Sequence, residues 1–242
     1  MSSSFTEITR TLSSEDDREA LRQQAWDVYI HQTQSGYPRK LARTLIEWTN
    51  TDDIFGKTSD ERAQVIFNDI GCGSGHDSSY FAYNGYKVNA IDYNETSINV
   101  VKEMQASRIT PIKMDFTENP MPKCHVAYAN YVMSFIPPEK FITTWKNHVV
   151  SQILPNGIYV GNFFGPKHEW YPDPYMSFFN KQQVEELFEK DFKSKIVIKE
   201  KTVTVKTADN GQKLFHTLKV VAEKKDEDSN DEELKTGLSI KL

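Results

Sequence analysis

Residues 65–94, VIFNDIGCGSGHDSSYFAYNGYKVNAIDYN, restrict the fold more than any other stretch of the chain. An apolar run ends near Asp69, glycines follow at 71, 73 and 75, and a second apolar run ends in Asp92. Two short apolar runs separated by a segment long enough for one helix read as strand–helix–strand, with the strands parallel. Glycines spaced this way let backbone, rather than side chains, lie against a ligand. The flanking aspartates argue that this ligand is not simply a phosphate.

The same alternation continues along the chain. Val65–Ile70 and Lys87–Ile91 read as strands around a short helix that Gly85 ends. Glu95–Gln105 reads as helix, and Ile109–Met114 and His125–Asn130 as strands. Pro137 and Pro138 open a helix running towards Ile153, "PNG" at 155–157 reads as a turn, and Ile158–Phe163 as a strand. Asn180 and Gln183 form a capping-box pattern ahead of another helix. Ile196–Lys206 and Lys213–Ala222 flank "TADNGQ", whose Asn-Gly is a hairpin signal. Ahead of all this, Ser13 or Ser14 caps a helix that begins in "EDD", and a second helix is expected over Arg39–Trp48. The expected fold is therefore α/β: a Rossmann-like, doubly wound, mostly parallel seven-stranded sheet with a C-terminal antiparallel hairpin strand. The expected organisation is N-terminal helices over 1–64 that pack on and cap the site, a core over 65–223, and an acidic, disordered tail over 224–242.

Composition narrows the function classes. With 38% apolar and 12% aromatic residues, the 242-residue chain can fill a sizeable core. No apolar run approaches membrane-span length, and the N-terminus lacks the basic and apolar regions of a signal peptide. Net charge is −5, and six of the eight residues 226–233 are acidic, which suits a solvated tail. Without a dense basic face, nucleic acid is not the expected partner. Cys72 and Cys124 form no metal-ligand pattern, and a reducing, cytoplasmic setting fits them.

In an open parallel sheet, ligands collect at the carboxyl ends of the strands. Asp69, Asp92 and Asp115 all fall at expected strand ends, which is better explained by one ligand than by chance. A dinucleotide fingerprint needs a glycine where this chain has His76, and Asp69 does not help to hold a pyrophosphate. A P-loop fails for want of Gly-Lys-Ser/Thr. A ligand with a cationic amine and a ribose but no phosphate suits the groups present, and S-adenosylmethionine is such a ligand.

"NDIGCGSG", "AIDYN" and "MDF" together resemble the motif series of class I S-adenosylmethionine-dependent methyltransferases, over roughly residues 20 to 223. Within that superfamily the tellurite-resistance and thiopurine-type small-molecule methyltransferases are nearest. The resemblance implies that Asp69, Gly71, Gly73 and Gly75 surround the methionine part of the cofactor. It places Asp92 on the ribose hydroxyls, Tyr93 beside the adenine, Asp115 on the adenine amino group, and Phe116 as a backbone donor or apolar wall. Asn130 would set a carbonyl near the amine. His125 stands where many relatives carry an acid. Each residue also has a plainer reading: the glycines as a turn, Asp92 as a helix cap, Asp115 as a turn residue, Tyr93 and Phe116 as core. His76, directly after the loop, is read either as lying by the cofactor carboxylate or as a solvated first-turn residue.

Two segments fall outside the rhythm, "YIHQTQSGYPRK" at 29–40 and "FFGPKHEWYPDPYMSFF" at 163–179. The second holds three prolines and seven aromatics, too many for an ordinary connection. Arg39, Trp170 and Tyr171 are candidate acceptor contacts, with Asp173 a further polar candidate. His168, Glu169 and Tyr37 are candidate catalytic groups. The expected activity is methyl transfer from S-adenosylmethionine, with S-adenosylhomocysteine as product, to a small-molecule acceptor. The expected protein is a monomer or dimer without membrane, nucleic-acid or metal partners. The alternatives are a non-catalytic S-adenosylmethionine-binding interaction protein and an NAD(P)-dependent oxidoreductase.

Overall fold

A computed structural model describes residues 15–51, 54–56, 58–193, 197–206 and 212–226. The Ser13/Ser14 cap, the Asn-Gly hairpin turn and the tail beyond residue 226 lie outside the described residues.

Seven strands form one sheet: β1 (Ile66–Ile70), β2 (Lys87–Asp92), β3 (Ile109–Lys113), β4 (Cys124–Ala129), β5 (Ile153–Phe164), β6 (Val197–Lys206) and β7 (Gln212–Glu223). Their order is β3-β2-β1-β4-β5-β7-β6. The first five are parallel, while β7 runs antiparallel to both β5 and β6. This is the expected architecture. The order reverses between β1 and β4, so the crevice at their carboxyl ends is where such a sheet holds ligands.

Both faces of the sheet are covered, which explains why β1 and β4 read as almost continuous apolar runs. One face carries α1 (Glu15–Thr33), α2 (Lys40–Thr51), the single turn α3 (Ser59–Arg62), α4 (His76–Tyr83) and α5 (Glu95–Glu103). Leu45, Phe67, Phe81, Tyr86, Ile98 and Tyr128 form its core. On the other face α6 (Pro138–Thr143) and α7 (Lys181–Glu189) bury Trp145, Tyr159, Phe163 and Phe188. Asn94 caps α5 by accepting from Ser97 N at 2.9 Å. The expected capping box at α7 forms in both directions between Asn180 and Gln183.

Two local expectations change. The helix opened by Pro138 passes into a π segment at Thr144–Val149 and a 3-10 turn at Val150–Gln152. "PNG" at 155–157 is a bulge inside β5 rather than a turn between elements. Cys124 pairs with Ile153 and Val126 with Ile158, so extra residues of β5 leave the ladder. Asn156 takes the left-handed backbone there, φ 57°, a conformation asparagine tolerates better than most residues.

Candidate functional site: the carboxyl edge of β1, β2 and β4

The glycine loop follows β1 directly, and Gly71, Gly73 and Gly75 have φ of 66°, 52° and 74°. All three lie in the region that favours glycine, but their surroundings differ. A Cβ at Gly71 would come within 2.7 Å of Val132 Cγ2, and one at Gly75 within 2.8 Å of Val101 Cγ2. These two glycines serve close packing of the loop. A Cβ at Gly73 would meet nothing within 4 Å. At Gly73 bare backbone therefore faces open space, as a cradle for a ligand requires.

Asp92, at the end of β2, spans the loop and the next helix. Its Oδ2 accepts from Gly73 N at 2.9 Å and its Oδ1 from Asn94 N at 3.0 Å. The carboxylate is 8% exposed, and burial raises its pKa against the opposing effect of those amides. Asp69 lies deeper on β1, opposite Tyr128 of β4, and accepts from Ser78 Oγ at 2.5 Å. Burial first, and then the charge of Asp77, push Asp69 well above the ordinary carboxylate range. Buried carboxylates crowded this way favour a cation and repel a pyrophosphate. The residues present thus fit S-adenosylmethionine, with its ammonium, sulfonium and ribose, better than a dinucleotide.

Sequence reasoning missed Asp77, the second residue of α4. Its Oδ1 accepts from Arg39 N at 2.6 Å and its Oδ2 from the Tyr128 hydroxyl at 2.8 Å. One buried carboxylate thereby ties the N-terminal segment to the sheet beneath the loop. Three more residues hold that segment down. His76 Nε2 lies 3.1 Å from Gly36 N and also against Thr33 O. Ser74 Oγ lies 3.2 Å from Thr33 Oγ1. Asn94 Nδ2 donates to both Gln23 (3.0 Å) and Asp27 (2.8 Å) of α1. The His76 ring is therefore occupied with docking the α1–α2 connection, which no local pattern announces.

The other sequence candidates divide. Tyr93 is half-buried beside Asp92, where burial and the Glu19 and Asp92 charges raise its hydroxyl pKa. Asp115 is exposed, and its Oδ1 accepts from the amide and hydroxyl of Thr117 in an Asx turn. Phe116 is buried in the core, and its carbonyl lies 2.9 Å from His148 Nδ1. Asn130, just past β4, accepts from Asn162 Nδ2 at 2.6 Å, while Asn162 Oδ1 accepts from Tyr131 N at 2.9 Å. Tyr131 takes φ 60°, an uncommon conformation for a bulky residue and one that clusters at functional sites. Periodicity gave no sign of it. His125 Nδ1 accepts from Ile66 N at 3.1 Å, a strand-pinning role an acid can also fill.

The three catalytic candidates have different surroundings. Tyr37 is 87% exposed, beside a segment bonded to His76 and Asp77. Glu169 accepts from Leu214 N at 3.1 Å and pairs with Lys213 at 3.5 Å, which anchors the insert to β7. His168 is buried and stacked on Phe164, and its Nδ1 accepts from Trp170 N at 3.2 Å. Nε2 then carries the proton in the neutral ring and has no partner. Burial pushes the imidazolium down to about 4. With Nδ1 occupied and Nε2 protonated, this ring is not placed to act as a base. Trp170 packs on Phe135 and His168, whereas Tyr171 is half exposed against Phe178. Asp173 caps a turn through Tyr175 N.

Known proteins share this fold. Residues 61–137, which hold the loop and the first four strands, match the family described as tellurite resistance protein TehB. TehB from Haemophilus influenzae is 24% identical over 66% of this chain, with a TM-score of 0.57; the match spans 58% of that protein's length, less than two thirds. The 1,6-didemethyltoxoflavin-N1-methyltransferase of Burkholderia thailandensis, solved with 1,6-didemethyltoxoflavin and S-adenosylhomocysteine, is 16% identical with a TM-score of 0.58. It covers 89% of this chain and 92% of its own. This chain has the class I methyltransferase fold. The N-methyltransferase NodS of Bradyrhizobium japonicum WM9, solved with S-adenosylhomocysteine, shares it at 12% identity and a TM-score of 0.55, over 76% of this chain and 85% of its own. No curated protein sequence matches the chain. Among the described residues no helix is long and apolar enough to cross a membrane.

Proposed function

We propose that this chain is an S-adenosylmethionine-dependent methyltransferase that acts on a small molecule in the cytoplasm, as a monomer or dimer. The observation that carries this reading is the pair Gly73 and Asp92: backbone facing open space, fixed by a buried carboxylate at the end of β2, one strand from the sheet's switch point. Asp92 keeps acceptor capacity for ribose hydroxyls, and a bound ammonium would draw Asp69, whose proton burial and the Asp77 charge retain, towards its ionised form. The TehB family match covers this same loop, and the likeness to methyltransferases solved with S-adenosylhomocysteine agrees with it.

When bound, S-adenosylmethionine supplies an electrophilic methyl on a cationic sulfur, and transfer leaves a neutral thioether. The chain's own part is to bind, orient and exclude water. Orientation of two reactants can supply roughly 7–11 kcal/mol of a barrier. The N-terminal helices α1 and α2 cap the site, and the aromatic insert at 163–179 forms its far wall. The toxoflavin enzyme's low-molecular-weight acceptor supports the same class here. Buried free thiols at Cys72 and Cys124 suit a reducing compartment.

The test uses methyl-deuterated S-adenosylmethionine with a fractionated cell extract. Label in a low-mass product, together with S-adenosylhomocysteine, is expected. Label confined to protein or nucleic acid would contradict the small-molecule acceptor.

A further inference from the structure

A closed circuit of side chains stands at the carboxyl ends of β4 and β5. Tyr29 packs on Trp26 (5.7 Å between ring centres), Trp26 on Phe135 (5.2 Å), Phe135 on Phe164 (5.9 Å) and Phe164 on Tyr131 (6.1 Å). Arg39 closes the circuit. Its guanidinium donates to the Tyr29 hydroxyl and lies within electrostatic reach of Tyr131.

Three features of this circuit are not explained by packing. Trp26, Tyr29 and Phe135 remain partly exposed, and Tyr131 is 37% exposed, so aromatic surface is left uncovered. Tyr131 is held at a left-handed φ by Asn162, where a glycine would sit without strain. The Arg39 guanidinium makes no direct ion pair among the described residues; the Asp77 carboxylate accepts from its backbone amide and acts on the guanidinium only through charge at longer range. A cation left with a neutral phenol, beside uncovered rings at a sheet edge, is complementary to a flat anion.

Resting on the methyltransferase reading, we propose that the acceptor is a planar aromatic acid. Its ring packs against Tyr131 and Phe135, and its anionic group bonds to Arg39. Specificity comes from the combination: a neutral aromatic leaves Arg39 without a partner, and an aliphatic acid leaves the rings in water.

Ligand-observed NMR with three probes tests this on the full-length protein in the presence of S-adenosylhomocysteine. Salicylate is flat and anionic, salicylamide is its neutral counterpart, and lactate is an anion without a ring. Salicylate is expected to bind about tenfold more tightly than either of the others, the size of one charged hydrogen bond or one ring contact. Arg39→Met should abolish the preference for salicylate over salicylamide, and Arg39→Lys should restore part of it. The Arg39 side chain does not carry the bond to Asp77, so these variants should still fold, and retained binding of S-adenosylhomocysteine by each checks that. Equal binding of salicylamide or lactate, an unchanged Arg39→Met variant, or no salicylate binding would each overturn the proposal. Salicylate binding by a protein that does not bind S-adenosylhomocysteine would keep the aromatic-acid pocket and contradict the methyltransferase reading.

Discussion

The Gly73 amide donates to the Asp92 carboxylate across 2.9 Å, and this bond joins the loop after β1 to the end of β2. Because Asn94 N uses the other oxygen at 3.0 Å, both oxygens of Asp92 accept from backbone. An amide offers only one acceptor. Asp92→Asn is therefore expected to set an NH2 group against a backbone N–H, costing about 1–3 kcal/mol of stability. Urea denaturation measures the loss.

Gly71 and Gly73 have similar backbone angles but opposite neighbours, so they separate fold from ligand. A left-handed alanine costs about 1–2 kcal/mol at either position. Gly71→Ala adds the overlap with Val132, another 1–3 kcal/mol or so. Gly73→Ala is thus expected to be the more stable variant, yet to lose binding of S-adenosylhomocysteine, because its methyl enters the open space. Thermal midpoints with and without ligand check both halves.

Asp69 and Asp77 predict how stability depends on pH. Their folded pKa values are raised, so the native state retains protons that the unfolded chain has released. Stability then falls as pH rises from the ordinary carboxylate range towards about 8, the value to which Asp69 is pushed. Asp77→Asn removes the neighbouring charge and should flatten that slope. Equal slopes in urea titrations across this range would contradict the coupling.

Asn94 caps α5 with its oxygen and holds α1 with its amide. Asn94→Asp keeps the cap but sets a carboxylate against Asp27. Faster amide exchange across Glu15–Thr33, with α5 unchanged, is the expected result.

His168 is neutral near pH 7, with Nδ1 occupied by Trp170 N. An active preparation should therefore show no ionisation from this ring above about pH 6. His168→Asn, which retains an acceptor near the position of Nδ1, should leave the shape of the pH–rate profile unchanged.

The sheet was legible in the sequence because buried parallel strands write themselves as apolar runs, and glycines punctuate them, Gly71–Gly75 after β1 and Gly85 before β2. Asp69 and Asp92 were legible for the same reason, as polar endings of apolar runs. Asp77 was not. Its partners Tyr128 and Arg39 lie 51 and 38 residues away, and no short pattern records such a meeting. Tyr131 escaped notice because its backbone is held by Asn162, on a neighbouring strand. The "PNG" bulge misled because a turn and a bulge use the same residues, and only the register with β4 separates them. Glu169 looked catalytic by residue type, whereas Leu214 N and Lys213 make it an anchor.

Titration calorimetry with S-adenosylhomocysteine against NAD, on the wild type and Asp92→Ala, tests the central claim most directly. The account predicts micromolar binding of S-adenosylhomocysteine alone, lost in the variant. Binding of NAD, or an S-adenosylhomocysteine affinity indifferent to Asp92, would contradict it.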